Sequence, residues 1–220
     1  MSVNKTVVIG TVLVGLSFSL QAASISNGGF EDEGALAPGG FRDNLTIGWT
    51  ENPEANIFEV STSFTTSGAS GSNIGTLWSN AILSQAIGEN VANNTPIQVS
   101  LSIGSRNDEA QSPPTNFSAG LFTTGGTALE TITITDEPNV FDTKGVLSPV
   151  TFTFNPGVGH GQLGQAMELR IQATGGGVTQ QLAVDDISVS VVPEPTTYAL
   201  VSGLGLVGLA AYRRTRARKA

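Results

Sequence analysis

From position 57 to position 192 the chain repeats one pattern: short runs of alternating apolar and polar residues, separated by clusters rich in glycine, proline, asparagine, aspartate and serine. Runs at 57–60, 75–78, 82–87, 97–103, 117–122, 132–135, 150–155, 168–173 and 182–192 predict about nine strands. Side chains two residues apart share a face of a strand. Val99, Leu101 and Ile103 therefore form one apolar face, as do Val150, Phe152 and Phe154, Leu169 and Ile171, and Ile187, Val189 and Val191. By the same count Asp185 falls on the inward face with Ile187 and Val189. Breaker clusters at 67–72, 93–96, 108–115, 125–126, 136–139, 155–164 and 175–177 mark the turns. No stretch of this region has the periodicity of a long amphipathic helix. Nine strands with one buried face each predict an all-β body, an antiparallel β-sandwich of jelly-roll type.

The two ends depart from this pattern. Residues 1–23 combine a short, weakly basic start ending at Lys5, an apolar run of 14 residues from 7 to 20, and the small residues Ala22 and Ala23, the arrangement of a signal peptide cut after Ala22 or Ala23. At the other end Pro193, Glu194 and Pro195 precede an apolar stretch at 196–212, and Arg213, Arg214, Arg216, Arg218 and Lys219 follow it. As a helix the 17 residues 196–212 would rise about 25 Å, slightly less than the roughly 30 Å of a bilayer core. The rings of Tyr198 and Tyr212 and the side chain of Arg213 suit the interface. The basic tail 213–220 acts as a membrane stop and holds the C-terminus in the cytoplasm, leaving the body outside. Residues 24–192 form one domain between these elements, a length sufficient for a single core.

Pro193-Glu194-Pro195, the glycine-rich apolar segment and the arginine cluster resemble the PEP-CTERM sorting signal of bacteria. That resemblance implies a temporary membrane tether, processed by an exosortase near Pro193, with release toward the cell surface or an exopolysaccharide matrix.

Charge is unevenly shared between body and tail. The body holds four basic residues, Arg42, Arg106, Lys144 and Arg170, against seventeen acids, a net of −13 where the whole chain carries −8. Nucleic-acid binding is excluded, because almost nothing is present to neutralise phosphates. A divalent cation is a plausible partner for so acidic a surface. The chain has no cysteine, so disulfides do not staple the exported domain.

Further motifs, Asn27-Gly28-Gly29-Phe30-Glu31, Gly48-Trp49-Thr50, Leu83-Ser84-Gln85, Gly104-Ser105-Arg106 and Val184-Asp185-Asp186-Ile187, resemble the galactose-binding-type sandwich of carbohydrate-binding modules. That resemblance implies neighbouring first and last strands and a structural calcium ion (Ca2+) near their ends, with Glu31 and Asp185 as its side-chain ligands. It also places Trp49 in the core. Trp78 is then the candidate aromatic platform for a sugar ring.

Catalytic chemistry has little support. His160 is the only histidine and sits among glycines, no cysteine nucleophile exists, and no Gly-x-Ser-x-Gly elbow is present. Paired acids such as Glu51 and Glu54, or Asp108 and Glu109, are the only route to glycoside hydrolysis and fall in apparent loops. The chain reads as a non-enzymatic exported surface or matrix protein, handled by signal peptidase and exosortase and able to meet extracellular polysaccharide. A permanently anchored structural or adhesive envelope protein is the alternative reading, with a glycoside-acting enzyme behind it.

Overall fold

The computed structural model describes residues 23–37, 39–43, 47–52, 55–59, 67–107, 116–135, 143–174 and 181–192, together with Gly203, 205–209 and Arg214. The signal segment before Ala23, Pro193-Glu194-Pro195, most of 196–212, and Arg213, Arg216, Arg218 and Lys219 lie outside the described residues. Those of the tail that are described are helical, and 205–209 and Arg214 are exposed. Among the described residues no helix is long and apolar enough to cross a membrane.

Among the described residues the body has eleven strands: β1 (Phe41–Asp43), β2 (Thr50–Asn52), β3 (Ala55–Glu59), β4 (Asn73–Trp78), β5 (Ile82–Asn90), β6 (Ile97–Ser105), β7 (Asn116–Thr123), β8 (Ala128–Thr135), β9 (Leu147–Phe154), β10 (Ala166–Thr174) and β11 (Gln181–Val191). They form a six-stranded sheet in the order β1-β3-β4-β11-β6-β9 and a five-stranded sheet in the order β2-β5-β10-β7-β8. Every strand pair in both sheets is antiparallel. Nine strands fall where the alternating runs predict them. The two additional strands, β1 and β2, read Phe-Arg-Asp and Thr-Glu-Asn and occupy sheet edges, where one row of backbone groups and no apolar face suffices.

Between the sheets lies the main core. Leu83, Ile87, Phe117, Leu121, Leu169 and Ile171 of the five-stranded sheet meet Leu77, Val99, Ile103, Val184 and Ile187 of the six-stranded sheet. Phe30 completes this core from a loop. Its ring lies over Gly75, where a Cβ would come within 2.5 Å of Phe30 Cζ, so β4 needs a residue without a side chain at that point. A second small cluster, Ile74, Leu147 and Ala183, is packed with Ala69 of the 67–70 segment.

β11 carries an irregularity that positions the candidate site. Its pairing with β6 shifts register between Asp185 and Ser188, and Asp186 adopts a left-handed conformation with φ 51. Val184 and Ile187 both remain in the main core across this bulge. The inward placement of Asp185 expected from a strict count of two is thereby corrected: the extra residue resets the alternation, and Asp185 is held by the 67–70 segment that covers Ala183.

Candidate functional site

Glu31 begins a single 3-10 turn, Glu31–Glu33, entered through Phe30 in a left-handed conformation (φ 59). Its Oε1 accepts the backbone N–H groups of Ser72 at 2.7 Å and Asn73 at 2.8 Å. Gly71 packs directly against this carboxylate, so no side chain fits there. Asp185 is fully buried, and its Oδ2 accepts the backbone N–H of Ser70 at 2.8 Å. The Ser70 hydroxyl bonds in turn to Oδ1 of Asp186. Oδ1 of Asp185 is buried and, among the described residues, has no hydrogen-bond partner.

Glu31 and Asp185 flank one spot. A Cβ placed on Gly29 would lie 3.7 Å from Asp185 Oδ1 and 3.9 Å from Glu31 Cγ. Burial raises the Asp185 carboxyl to about 7; backbone hydrogen bonds from Ser70 and Asp186 oppose the rise, and the charges of Asp186 and Glu31 add to it. A buried, half-partnered carboxylate next to a second one is what a hard cation would relieve. Among the described residues, no three His, Cys, Asp or Glu side chains cluster into a metal cage. A calcium ion here would draw on these two carboxylates and complete its shell with backbone carbonyls and water.

The remaining residues singled out in the sequence are placed apart from this pair. Trp49 is buried and stacks on Phe30, with ring centroids 6.1 Å apart, and its indole N–H donates to Asn27 O at 3.0 Å. Trp78, at the end of β4, is half-buried and packs against the main core. His160 lies edge-on to Phe154, and its Nδ1 accepts the backbone N–H of Gln162 at 3.3 Å. Gln85 works as a clip: Oε1 accepts Ser26 N–H at 2.7 Å, while Nε2 donates to Ser26 O at 3.0 Å and Gly48 O at 2.5 Å.

The outward face of the five-stranded sheet carries a second candidate. Directly opposed positions bring Thr50, Ser84, Arg170, Gly120 and Thr131 into one row, and Asn52, Ile82, Gln172, Ser118 and Thr133 into the next. A depression of about 150 Å³ opens here, lined by Ile82, Ser118, Gly120, Phe122, Thr131, Arg170 and Gln172, with Ala119 at its base. Gly120 keeps the floor open, since a Cβ there would meet Glu130 O at 2.6 Å and Thr131 Cγ2 at 2.7 Å. Arg170 lies 4.6 Å from the centroid of the Phe122 ring, and its Nε donates to Glu168 Oε1 at 2.6 Å. Its Nη2 pairs with the same oxygen. The polar positions of 168, 170 and 172, alternating with buried Leu169, Ile171 and Ala173, are the sequence signal that marks this face.

Two antiparallel sheets around one core, followed by a sorting segment, define an exported β-sandwich protein of the PEP-CTERM class; the PEP-CTERM protein-sorting motif matches residues 191–215. The body belongs to the HpiC1-like family, whose model, described as HpiC1 cyclase, matches residues 21–190. Among solved structures, the Stig cyclase Fisc from Fischerella sp. TAU, in complex with (3Z)-3-(1-methyl-2-pyrrolidinylidene)-3H-indole, is similar at a TM-score of 0.66 and 17% identity, covering 78% of this chain and 98% of that one. A cyclase from Fischerella sp. TAU in complex with 4-(1H-indol-3-yl)butan-2-one is similar at 0.66 and 18% identity, with the same coverage. These likenesses show a shared fold. Carbohydrate-binding modules are also structural neighbours, a CBM4 among them at 0.43 and 12% identity, covering 77% of this chain and all of that one. No curated protein matches the chain in sequence.

Proposed function

We propose that this chain is a non-enzymatic surface or exopolysaccharide-matrix protein. Signal peptidase removes residues 1–23, a membrane helix at 196–212 tethers the folded body outside the inner membrane, and an exosortase cuts near Pro193. The tether, in this reading, is stopped by Arg213, Arg214, Arg216, Arg218 and Lys219. The body, read as a jelly roll, is tied by Ca2+ between Glu31 and Asp185 and binds polysaccharide through its exposed sheet face or through the accessible part of Trp78. The observation that carries this reading is the sorting motif at 191–215. An export-and-release signal commits a protein to the surface whatever its body does.

The experiment is peptide mapping by mass spectrometry of the protein recovered from its native host. Loss of everything beyond the Pro193 region is expected. Recovery of an intact 213–220 tail in the membrane fraction would leave the alternative, a permanently anchored envelope protein.

Membership of a cyclase family favours a second reading, an enzyme acting on a small ring-forming substrate. Asp185, with its carboxyl near 7, has the proton affinity of a general acid. It is fully buried, however, and lines neither the depression around Arg170 nor the open one around Gln85, Ser26 and Gly48. This geometry suits a structural ligand better than a group that must reach substrate.

A further inference from the structure

Resting on the saccharide-binding reading above, we infer that the depression beside Arg170 takes a single uncharged, hydroxyl-bearing sugar ring and reads it through polar side chains, without aromatic stacking. Three observations converge on that class. The first concerns the ring face: among the described residues Phe122 is the only aromatic one lining the depression, and the guanidinium of Arg170 already covers it. A flat apolar ring, or a pyranose seeking an aromatic platform, finds that face taken.

The second concerns charge. Among the described residues Arg170 is the single charged one in the lining, and Glu168 neutralises it through both Nε and Nη2. The surrounding body carries −13. A uronate or sulfated sugar would meet a compensated cation inside a repulsive field, whereas a neutral ring meets no penalty.

The third concerns hydrogen-bond chemistry. Ser118 and Thr131 offer hydroxyls that donate and accept, Gln172 offers an amide that does both, and the Arg170 edge not used by Glu168 donates. Sugar hydroxyls both donate and accept, so they match this lining; a carboxylate only accepts and leaves the acceptors opposite it unpaired. Because Arg170 is held by both Glu168 and Phe122, its side chain is ordered before any ligand arrives, which lowers the entropy cost of binding. The depression, about 150 Å³, is on the scale of one ring.

Binding is tested by titration calorimetry on the full chain, purified in a non-glycosidic detergent, with a panel of neutral oligosaccharides (galacto-, manno- and gluco-) and an oligogalacturonate. The expected result is binding of at least one neutral oligosaccharide, insensitive to salt, weakened about tenfold by Arg170→Ala and abolished by Thr131→Trp, which fills the depression from an exposed position. Unchanged thermal midpoints check that these two variants and Trp78→Ala, which tests the other platform, are folded. Preference for oligogalacturonate with affinity falling as salt rises would overturn the neutral class and leave saccharide binding standing. Neutral binding lost in Trp78→Ala but kept in Thr131→Trp would also overturn the inference, placing the sugar at Trp78. Failure of every saccharide to bind would overturn both this inference and the saccharide reading beneath it.

Discussion

Ser70 donates its backbone N–H to Oδ2 of Asp185 at 2.8 Å across 115 positions of sequence, while Oδ1 of the same carboxylate is buried with no hydrogen-bond partner among the described residues. The chain therefore folds around a group whose charge is only half compensated. The consequence depends on pH. In the folded protein the carboxyl is raised to about 7, while the unfolded chain titrates near the ordinary value of about 4. Asp185 thus contributes stability that is fully present below about 4 and is lost as pH rises through about 7, because the folded state holds a proton the unfolded chain has released.

With a chelator present, the thermal midpoint is expected to carry a falling component between pH 5 and pH 8 that Asp185→Asn removes. Calcium should raise the midpoint at pH 8 far more than at pH 5, since only the ionised carboxylate ligates. Differential scanning calorimetry at the two pH values checks this, and a midpoint indifferent to calcium at pH 8 would remove the ion from the Glu31 and Asp185 site.

Phe30 over Gly75 makes a sharp packing prediction. Gly75→Val places two methyls where the ring lies, and overpacking of this kind costs about 1–3 kcal/mol. Denaturant unfolding should show the loss with an unchanged m-value, and Phe30→Ala combined with Gly75→Val should recover part of it, because the two side chains compete for one volume.

Gln85→Leu removes three hydrogen bonds that hold Ser26 and the Gly48 carbonyl against β5. Leaving the Ser26 N–H and two carbonyls without their partner is expected to cost about 1–3 kcal/mol. Hydrogen exchange at the Ser26 amide should accelerate while core amides of β6 and β10 change only with global stability.

Replacing Pro193, Glu194 and Pro195 by alanines should leave the body folded and retain it in the membrane fraction. Fractionation with antibody against the body, alongside the native sequence, reads this directly. Equal release of both proteins would detach sorting from the motif.

Nine strands were legible because burial of one face between two sheets, as in β5, β9 and β10, writes an alternation of period two into the sequence. β1 and β2 left no such mark: Phe-Arg-Asp and Thr-Glu-Asn are short edge strands whose existence rests on backbone pairing with β3 and β5. The same alternation misplaced Asp185, since a bulge adds one residue without altering the apolar pattern on either side. Glu31 and Asp185 were readable as a pair only through resemblance. Ser70, whose backbone N–H holds Asp185, carried no sequence signal for that role, as backbone donors of this kind occur throughout the chain.

Export and sorting belong to the sequence by itself, because the sorting motif at 191–215 is a one-dimensional device read by composition and order along the chain. The all-β class belongs there too, for periodicity is local. Only the tertiary structure decided that Glu31 and Asp185 flank Gly29, and that Arg170 covers Phe122. Those relationships join residues 48 to 154 positions apart, or turn on which face a strand presents, and local pattern holds no information on either until the sheets have packed.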